Sequence, residues 1–342
     1  MRPRVLWRAL CVLGLMNVQA LAQVTVLDRA QDAAGEAAPP AEPEAPCGNQ
    51  PLTIARMSWP SSALLAEIHA RILTAEFGCD VSITPGDLAA TASSMGSTGQ
   101  PAVAPELWIN RIADVWNGAM DAQMVRSAAP TYADTSFEGW FMPAYTGTGL
   151  AEPPSAATLS TVLPTLEADS TKLRFISCPL DWACSIINRN LVKAHGLESL
   201  LEIVEPANRL EMDRLIAEAV NRREPFLFYY WQPNAVLAQL DFVAIDMGEY
   251  DEAAAQCLAQ RECTSPAPSS FPPDSVVIAL AERVFTDLPV IASYFQRTSM
   301  PLAEMNTLLA QLSAGGATPE AVAERFVAER RDLWEDWLGA LP

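Results

Sequence analysis

Residues 64, 65, 68, 72, 73 and 77 are Leu, Leu, Ile, Ile, Leu and Phe, spaced for one face of a helix. The stretch "SSALLAEIHARILTAEFGC" that carries them is therefore predicted helical. It follows a short strand, "LTIARMSW", and precedes another, "DVSITPG". The apolar runs "EGWFMPAY", "KLRFIS", "EPFLFYYW" and "SVVIALAERV" read as further strands or strand ends. Between them lie helical stretches such as "SIINRNLVKAHGL" and "RLEMDRLIAEAVNRR". Strands that alternate with helices predict an α/β fold with mostly parallel sheets. Amphipathic helices follow Pro301, and no internal repeat is visible in the sequence.

Two segments break this pattern. The chain begins with Arg2, Arg4 and Arg8, an apolar run from Ala9 to Val18, and "ALA" at residues 20–22. That order predicts a secretory signal peptide, residues 1–22, too short to span a bilayer. Residues 23–46, rich in Ala, Pro and Glu, read as a disordered linker. The globular part is expected from Cys47 onward. Within it "CLAQRECTSPAPSSFPPD" is Pro/Ser-rich and suits a connection between lobes.

Charge and cysteine content narrow the functional classes. The formal net charge of −19 becomes −22 once the three leader arginines are gone. Such a protein repels nucleic acid and anionic membrane and favours cationic or zwitterionic partners. Six cysteines follow the leader: Cys47, Cys79, Cys178, Cys184, Cys257 and Cys263. In an exported chain an even number reads as disulfides, with fifteen pairings open. The shared C-x5-C spacing favours 178 with 184 and 257 with 263, which leaves Cys47 for Cys79. Only His69 and His195 are available as imidazole ligands, neither at zinc spacing from a cysteine, so no metal or cofactor is expected. There is no G-x-S-x-G, no H-E-x-x-H and no phosphate-cradling glycine loop, so the chain does not read as an enzyme.

Tryptophan carries the better signal. Trp59, Trp108, Trp140, Trp182 and Trp231 stand beside turn residues or at the ends of apolar runs, whereas Trp116, Trp334 and Trp337 lie in helical stretches and read as structural. Strand ends are where open α/β sheets place ligands. Several aromatic faces together suit a quaternary ammonium, which donates no hydrogen bond, and each face contributes about 0.5–2 kcal/mol when water is excluded. A sugar platform would use the same rings with more polar side chains around them.

The segments "LTIARMSWPSSALLAEI", "PAVAPELWIN", "EGWFMPAY", "SCPLDWACSI", "REPFLFYYWQPNAVL" and "ERRDLWEDWL", in this order and spacing, resemble the substrate-binding proteins of ABC importers for glycine betaine, choline and related quaternary amines. The resemblance runs from Cys47 to Leu338. It implies a two-lobed periplasmic-binding-protein fold (type II), with residues 47–136 and 268–342 in lobe 1 and 137–267 in lobe 2. It further implies an aromatic box of Trp108 from lobe 1 with Trp182 and Trp231 from lobe 2, Trp59 as a fourth wall and Trp140 at the crossing. The amides of Ala183 and Cys184, at a helix start, correspond to those that hold a ligand carboxylate. Asp181 replaces the glycine common before Trp182. If it caps that helix it competes with a ligand carboxylate and favours choline-like cations. A histidine found in some members is replaced by Ile112, with Asn110 and Arg111 nearby. The implied function is capture of a quaternary amine in the periplasm for an importer permease and its ATPase. A ligand-sensing receptor for a signalling partner, or a binder of another small solute, would use the same fold.

Overall fold

The computed structural model describes residues 46–134, 136–147, 154–166 and 172–339; the expected signal peptide and nearly all of the expected linker lie outside the described residues. Two five-stranded sheets organise the chain. The first uses β1 (Leu52–Met57), β2 (Val81–Gly86), β3 (Val103–Trp108), β4 (Val125–Pro130) and the late strand β10 (Val276–Ala281), in the order β2-β1-β3-β10-β4. The second uses β5 (Glu138–Pro143), β6 (Leu173–Ile176), β7 (Leu201–Val204), β8 (Phe226–Trp231) and β9 (Phe242–Ala244), in the order β7-β6-β8-β5-β9. The chain thus passes to the second sheet after Pro130 and returns before Val276.

The pairing directions give both sheets one plan. β1 runs parallel to β2 and β3, while β10 is antiparallel to β3 and β4. β6 runs parallel to β7 and β8, while β5 is antiparallel to β8 and β9. Each sheet is therefore mostly parallel, with one reversed strand second from the edge. In both cases the reversed strand is the first one formed after a crossing between sheets. The two lobes repeat a topology that no sequence repeat announces, because the pattern of apolar positions can recur while the residues differ.

Helices cover the sheets. α1 (Pro60–Phe77), α2 (Leu88–Thr98) and α3 (Ala113–Asp121) belong to the first lobe; α4 (Leu159–Leu166), α5 (Ala183–Ala194), α6 (Arg209–Asn221), α7 (Val236–Gln239) and α8 (Glu252–Leu258) follow in the middle of the chain. After β10 come α9 (Glu282–Asp287), α10 (Pro289–Arg297), α11 (Leu302–Ser313), α12 (Pro319–Glu329) and α13 (Arg331–Leu338). These last helices return to lobe 1. Val322, Ala323 and Phe326 of α12 and Trp334 and Trp337 of α13 join Leu64, Ile68 and Ile72 of α1 in one core. Trp116, Trp334 and Trp337 are buried, as expected of structural tryptophans.

Four strands carry no clear signature in the sequence. β3, "VAPELW", contains a proline and a glutamate, and β4, "VRSAAP", has little hydrophobicity. β7 and β9 are only four and three residues long. Pairing with neighbouring strands makes these short or mixed segments strands.

The cysteines pair as Cys47–Cys79, Cys178–Cys184 and Cys257–Cys263, with Cα separations of 5.4, 6.2 and 5.2 Å. The first ties the chain ahead of β1 to the end of α1. Asn190 of α5 donates to the carbonyls of Leu258 and Gln260 and so joins the third loop to lobe 2.

His69 is fully buried in α1, its Nδ1 2.8 Å from the Tyr294 hydroxyl and its ring against Phe295 and Trp337. Burial lowers its pKa from 6.5 to about 3. Above pH 6.5 the ring is neutral in both folded and unfolded chains, so it costs nothing. Below 6.5 the unfolded chain takes up a proton that the fold refuses, and stability drops by up to about 1.4 kcal/mol per pH unit. Unfolding free energies measured from pH 7.5 to 5 should fall less steeply for His69→Gln than for the wild type. Parallel curves would contradict a buried neutral ring.

Candidate functional site

Corresponding strands of the two sheets end in tryptophan. Trp108 closes β3 and Trp231 closes β8, which occupy the same central position in their sheets. Trp59 follows β1 and is the N-cap residue of α1; Trp182 follows β6 and is the N-cap residue of α5. All four are half-buried. Each lobe therefore offers one ring from a central strand end and one from the turn into the helix after the neighbouring strand. These are the carboxyl ends of parallel strands, where open α/β sheets leave a crevice.

The rings face two adjoining cavities between the lobes. One, of about 560 Å³, is bounded by Trp59, Trp108, Trp231, Glu106 and Leu309 among others. The other, of about 580 Å³, is bounded by Trp108, Trp182, Ala183, Cys184, Trp231 and Glu138 among others. Trp108, Arg111, Trp231 and Gln232 line both.

Each ring has identifiable support. Glu106 and Trp108 are two residues apart on β3 and so share a face of the strand. The Trp108 Nε1–H donates to Glu106 Oε1 at 3.0 Å, and the ring meets Phe137 edge-on at 5.1 Å. In lobe 2 the Trp182 and Trp231 centroids are 5.5 Å apart, and Tyr230 stacks on Trp231 at 4.6 Å. Asn306 of α11 reaches across from lobe 1. It accepts from the Asn234 amide at 2.6 Å and donates to the Gln232 side chain at 2.9 Å, which pins the segment after Trp231. Trp182 sits inside the loop closed by Cys178–Cys184, its amide donating to the Pro179 carbonyl at 2.9 Å.

Cations already rest on two of these faces. The Arg111 guanidinium lies 4.6 Å from the Trp108 ring centre and pairs with Asp274 at 3.3 Å. Arg209 lies 5.6 Å from the Trp231 ring.

Two carboxyl groups stand in the walls. Glu106 is fully buried, accepts from Ser61 Oγ at 3.1 Å, and burial pushes its carboxyl above the ordinary range, opposed by donors from Ser61, Trp108, Trp59 and Tyr132. Glu138 accepts from the Tyr229 hydroxyl at 2.8 Å and is likewise raised by burial, with that hydrogen bond and nearby Arg111 opposing.

Two sequence expectations change. Trp140 lines neither cavity: it is fully buried in lobe 2, its Nε1–H donates to Asn188 Oδ1 at 2.8 Å, and its ring packs 4.8 Å from Phe175. Its place on β5, facing α5, makes it a core residue. Asp181 is exposed, and no side chain caps α5; Trp182 occupies the cap position with extended backbone. The first-turn amides at Ala183 and Cys184 are therefore not taken by Asp181. The sequence reading also passed over Glu106, Glu138 and Arg209. For Glu106 the available signal was an acid inside the apolar run "PAVAPELWIN".

A family model described as the substrate binding domain of the ABC-type glycine betaine transport system matches residues 50–329. The chain belongs to this family of ABC importer substrate-binding proteins, a solute-binding class and not a class of enzymes. No curated protein sequence matches it significantly. Solved structures share the fold. Lactococcal OpuAC, closed and complexed with glycine betaine, superposes with a TM-score of 0.50 at 13% identity, over 85% of this chain and all of that one. Apo YehZ from Escherichia coli gives 0.59 at 14% identity over 82% of this chain and 99% of that one. A glycine betaine/carnitine/choline ABC transporter protein gives 0.58 at 11% over 83% and 99%. At these identities the likeness establishes the fold.

The buried bond from Trp140 predicts a measurable coupling. Trp140→Phe keeps a ring but strands Asn188 Oδ1, which should cost about 1–3 kcal/mol in urea unfolding. In an Asn188→Ala background the same change should cost well under half as much, and equal costs would show that the bond contributes nothing.

Proposed function

We propose that this protein captures a quaternary ammonium compound between its lobes, on Trp59, Trp108, Trp182 and Trp231, and delivers it to an ABC importer permease with its ATPase. The observation that carries this reading is that Trp108 and Trp231, from opposite lobes, border both cavities. A ligand held between them gains contact from each lobe only when the lobes approach, so occupancy favours the closed form. The Arg111 and Arg209 guanidiniums lie against these two rings, so the rings accept cationic neighbours, and Asp274 neutralises the charge of Arg111 beside the cavities. The ends of α1 and α5 add rings rather than further charge, which suits an ammonium that donates no hydrogen bond. The segments preceding Cys47 have the order of an exported chain, so capture takes place in the periplasm. Among the described residues no helix is long and apolar enough to cross a membrane.

Calorimetry with a panel of quaternary amines tests this. Trp108→Ala and Trp231→Ala should each weaken the best ligand by about 1–3 kcal/mol while the protein stays folded. Trp182→Ala, which removes a wall of one cavity alone, should cost less than either. Unchanged affinity in all three would place the ligand elsewhere.

A further inference from the structure

Between β8 and β9 the chain of lobe 2 makes an excursion onto lobe 1. Ala235 packs against the core of lobe 1, while Val236 and Leu237, which open α7, pack against that of lobe 2. This single turn of helix is wedged between the two. Asn306 of α11 holds its leading end. The Asn306 side chain is 4% exposed and both its polar groups are used: Oδ1 accepts from the Asn234 amide and Nδ2 donates to Gln232 Oε1. Asn234 in turn accepts from the Val236 amide at 3.1 Å. Gln232 also ties the excursion to the outgoing crossing, its amide donating to the Phe137 carbonyl at 2.7 Å and its Nε2 to the Ser136 carbonyl at 3.0 Å. Phe137 is the residue that meets the Trp108 ring edge-on. Through Gln232, one buried amide of lobe 1 thus holds the residue after Trp231 against the residue that supports Trp108.

We propose that Asn306 is a positioning residue for ligand capture: before any ligand arrives, it holds the lobes at the separation in which Trp108 and Trp231 face a common cavity. The inference rests on the reading of the cleft as the ligand site. Asn306 lines neither cavity, so it acts through Gln232 and Asn234 and not by touching the ligand. Leu309 and Ser313 follow it on the same face of α11 and border the cavity beside Trp231, so a shift of this helix against the excursion reaches the cavity wall. The affinity for a ligand that needs both lobes is reduced by the fraction of molecules whose lobes are misplaced, and a contact that presets them raises the competent fraction. Such a contact counts only if water cannot replace it. Here the bonds are buried, and their loss leaves the Asn234 amide unpaired inside the fold.

Small-angle X-ray scattering of the unliganded mature chain, with calorimetry against glycine betaine and choline, tests this. Asn306→Leu keeps the size of the side chain and removes both bonds. It should enlarge the radius of gyration of the unliganded protein and weaken the tighter of the two ligands about tenfold, while saturating ligand returns the radius to the liganded wild-type value. Asn306→Asp keeps the acceptor for the Asn234 amide and loses the donor to Gln232. It should give a smaller change in the same direction, and it carries the test if Asn306→Leu does not fold. A lower unfolding midpoint with radius and affinity both unchanged would make Asn306 a structural residue alone and overturn the proposal. The scattering needs no ligand, so the two readings fail separately. If neither amine binds the wild type, the reading of the cleft fails; an unchanged radius in the variants is what overturns the role of Asn306.

Discussion

Strand direction governs this structure. Four strands of each sheet run the same way, so their carboxyl ends collect on one side, and no hydrogen-bonded neighbour continues beyond them. Chain leaving such an edge turns into a helix or a loop, and side chains there project into the crevice between the lobes. Trp108 and Trp231 are the last residues of equivalent strands, and Trp59 and Trp182 the cap residues of equivalent helices. The quartet is a consequence of using one topology twice. It needs no similarity between the two halves in sequence, only a tryptophan at the same four structural addresses.

Rigidity at these addresses comes from polar groups placed deeper in the fold. A ring on a turn is a poor platform unless its edge is held. Trp108 is held by Glu106, Trp182 by the short disulfide loop, and Trp231 by the stacked Tyr230 and by the clamp of Asn306 on the residues after it. Burying Glu106 is costly in isolation, since a carboxylate loses its hydration. Donors from Ser61 and Trp108 offset part of that cost, and the same contact holds the Trp108 ring in place.

Asn306 illustrates how the lobes are coupled. It belongs to α11, part of the long helical return to lobe 1, yet it binds the segment that follows the last residue of β8. Arg111 and Asn110 do the converse, reaching from the end of β3 to Asp274 and Pro273 on the return crossing. Trp108 thus sits next to a contact with the return crossing, and Trp231 next to a contact between the lobes.

Periodicity and composition were enough to read α1, the strong strands, the alternation of strand and helix, and the candidate rings Trp59, Trp108, Trp182 and Trp231, because apolar spacing and turn residues are local properties. The C-x5-C spacing likewise anticipated two disulfides. Weak strands such as β4 and β9 were not legible, since their few apolar residues become strand only when a neighbour pairs with them. Trp140 looked like its counterparts in sequence, flanked by glycine and near a proline, and only the packing of β5 on α5 shows that it points into the core. Asp181 looked like a helix cap, and the backbone placed Trp182 there instead. Glu106 shows the division most sharply. Its position between apolar neighbours was visible in the chain, but that its carboxyl is fully buried and held by Ser61 and Trp108 depends on where α1 arrives from elsewhere in the chain. Sequence alone determined which tryptophans stand at turns and strand ends; the tertiary structure decided which of them share a cleft, because hydrogen-bond geometry and burial exist only once distant segments meet.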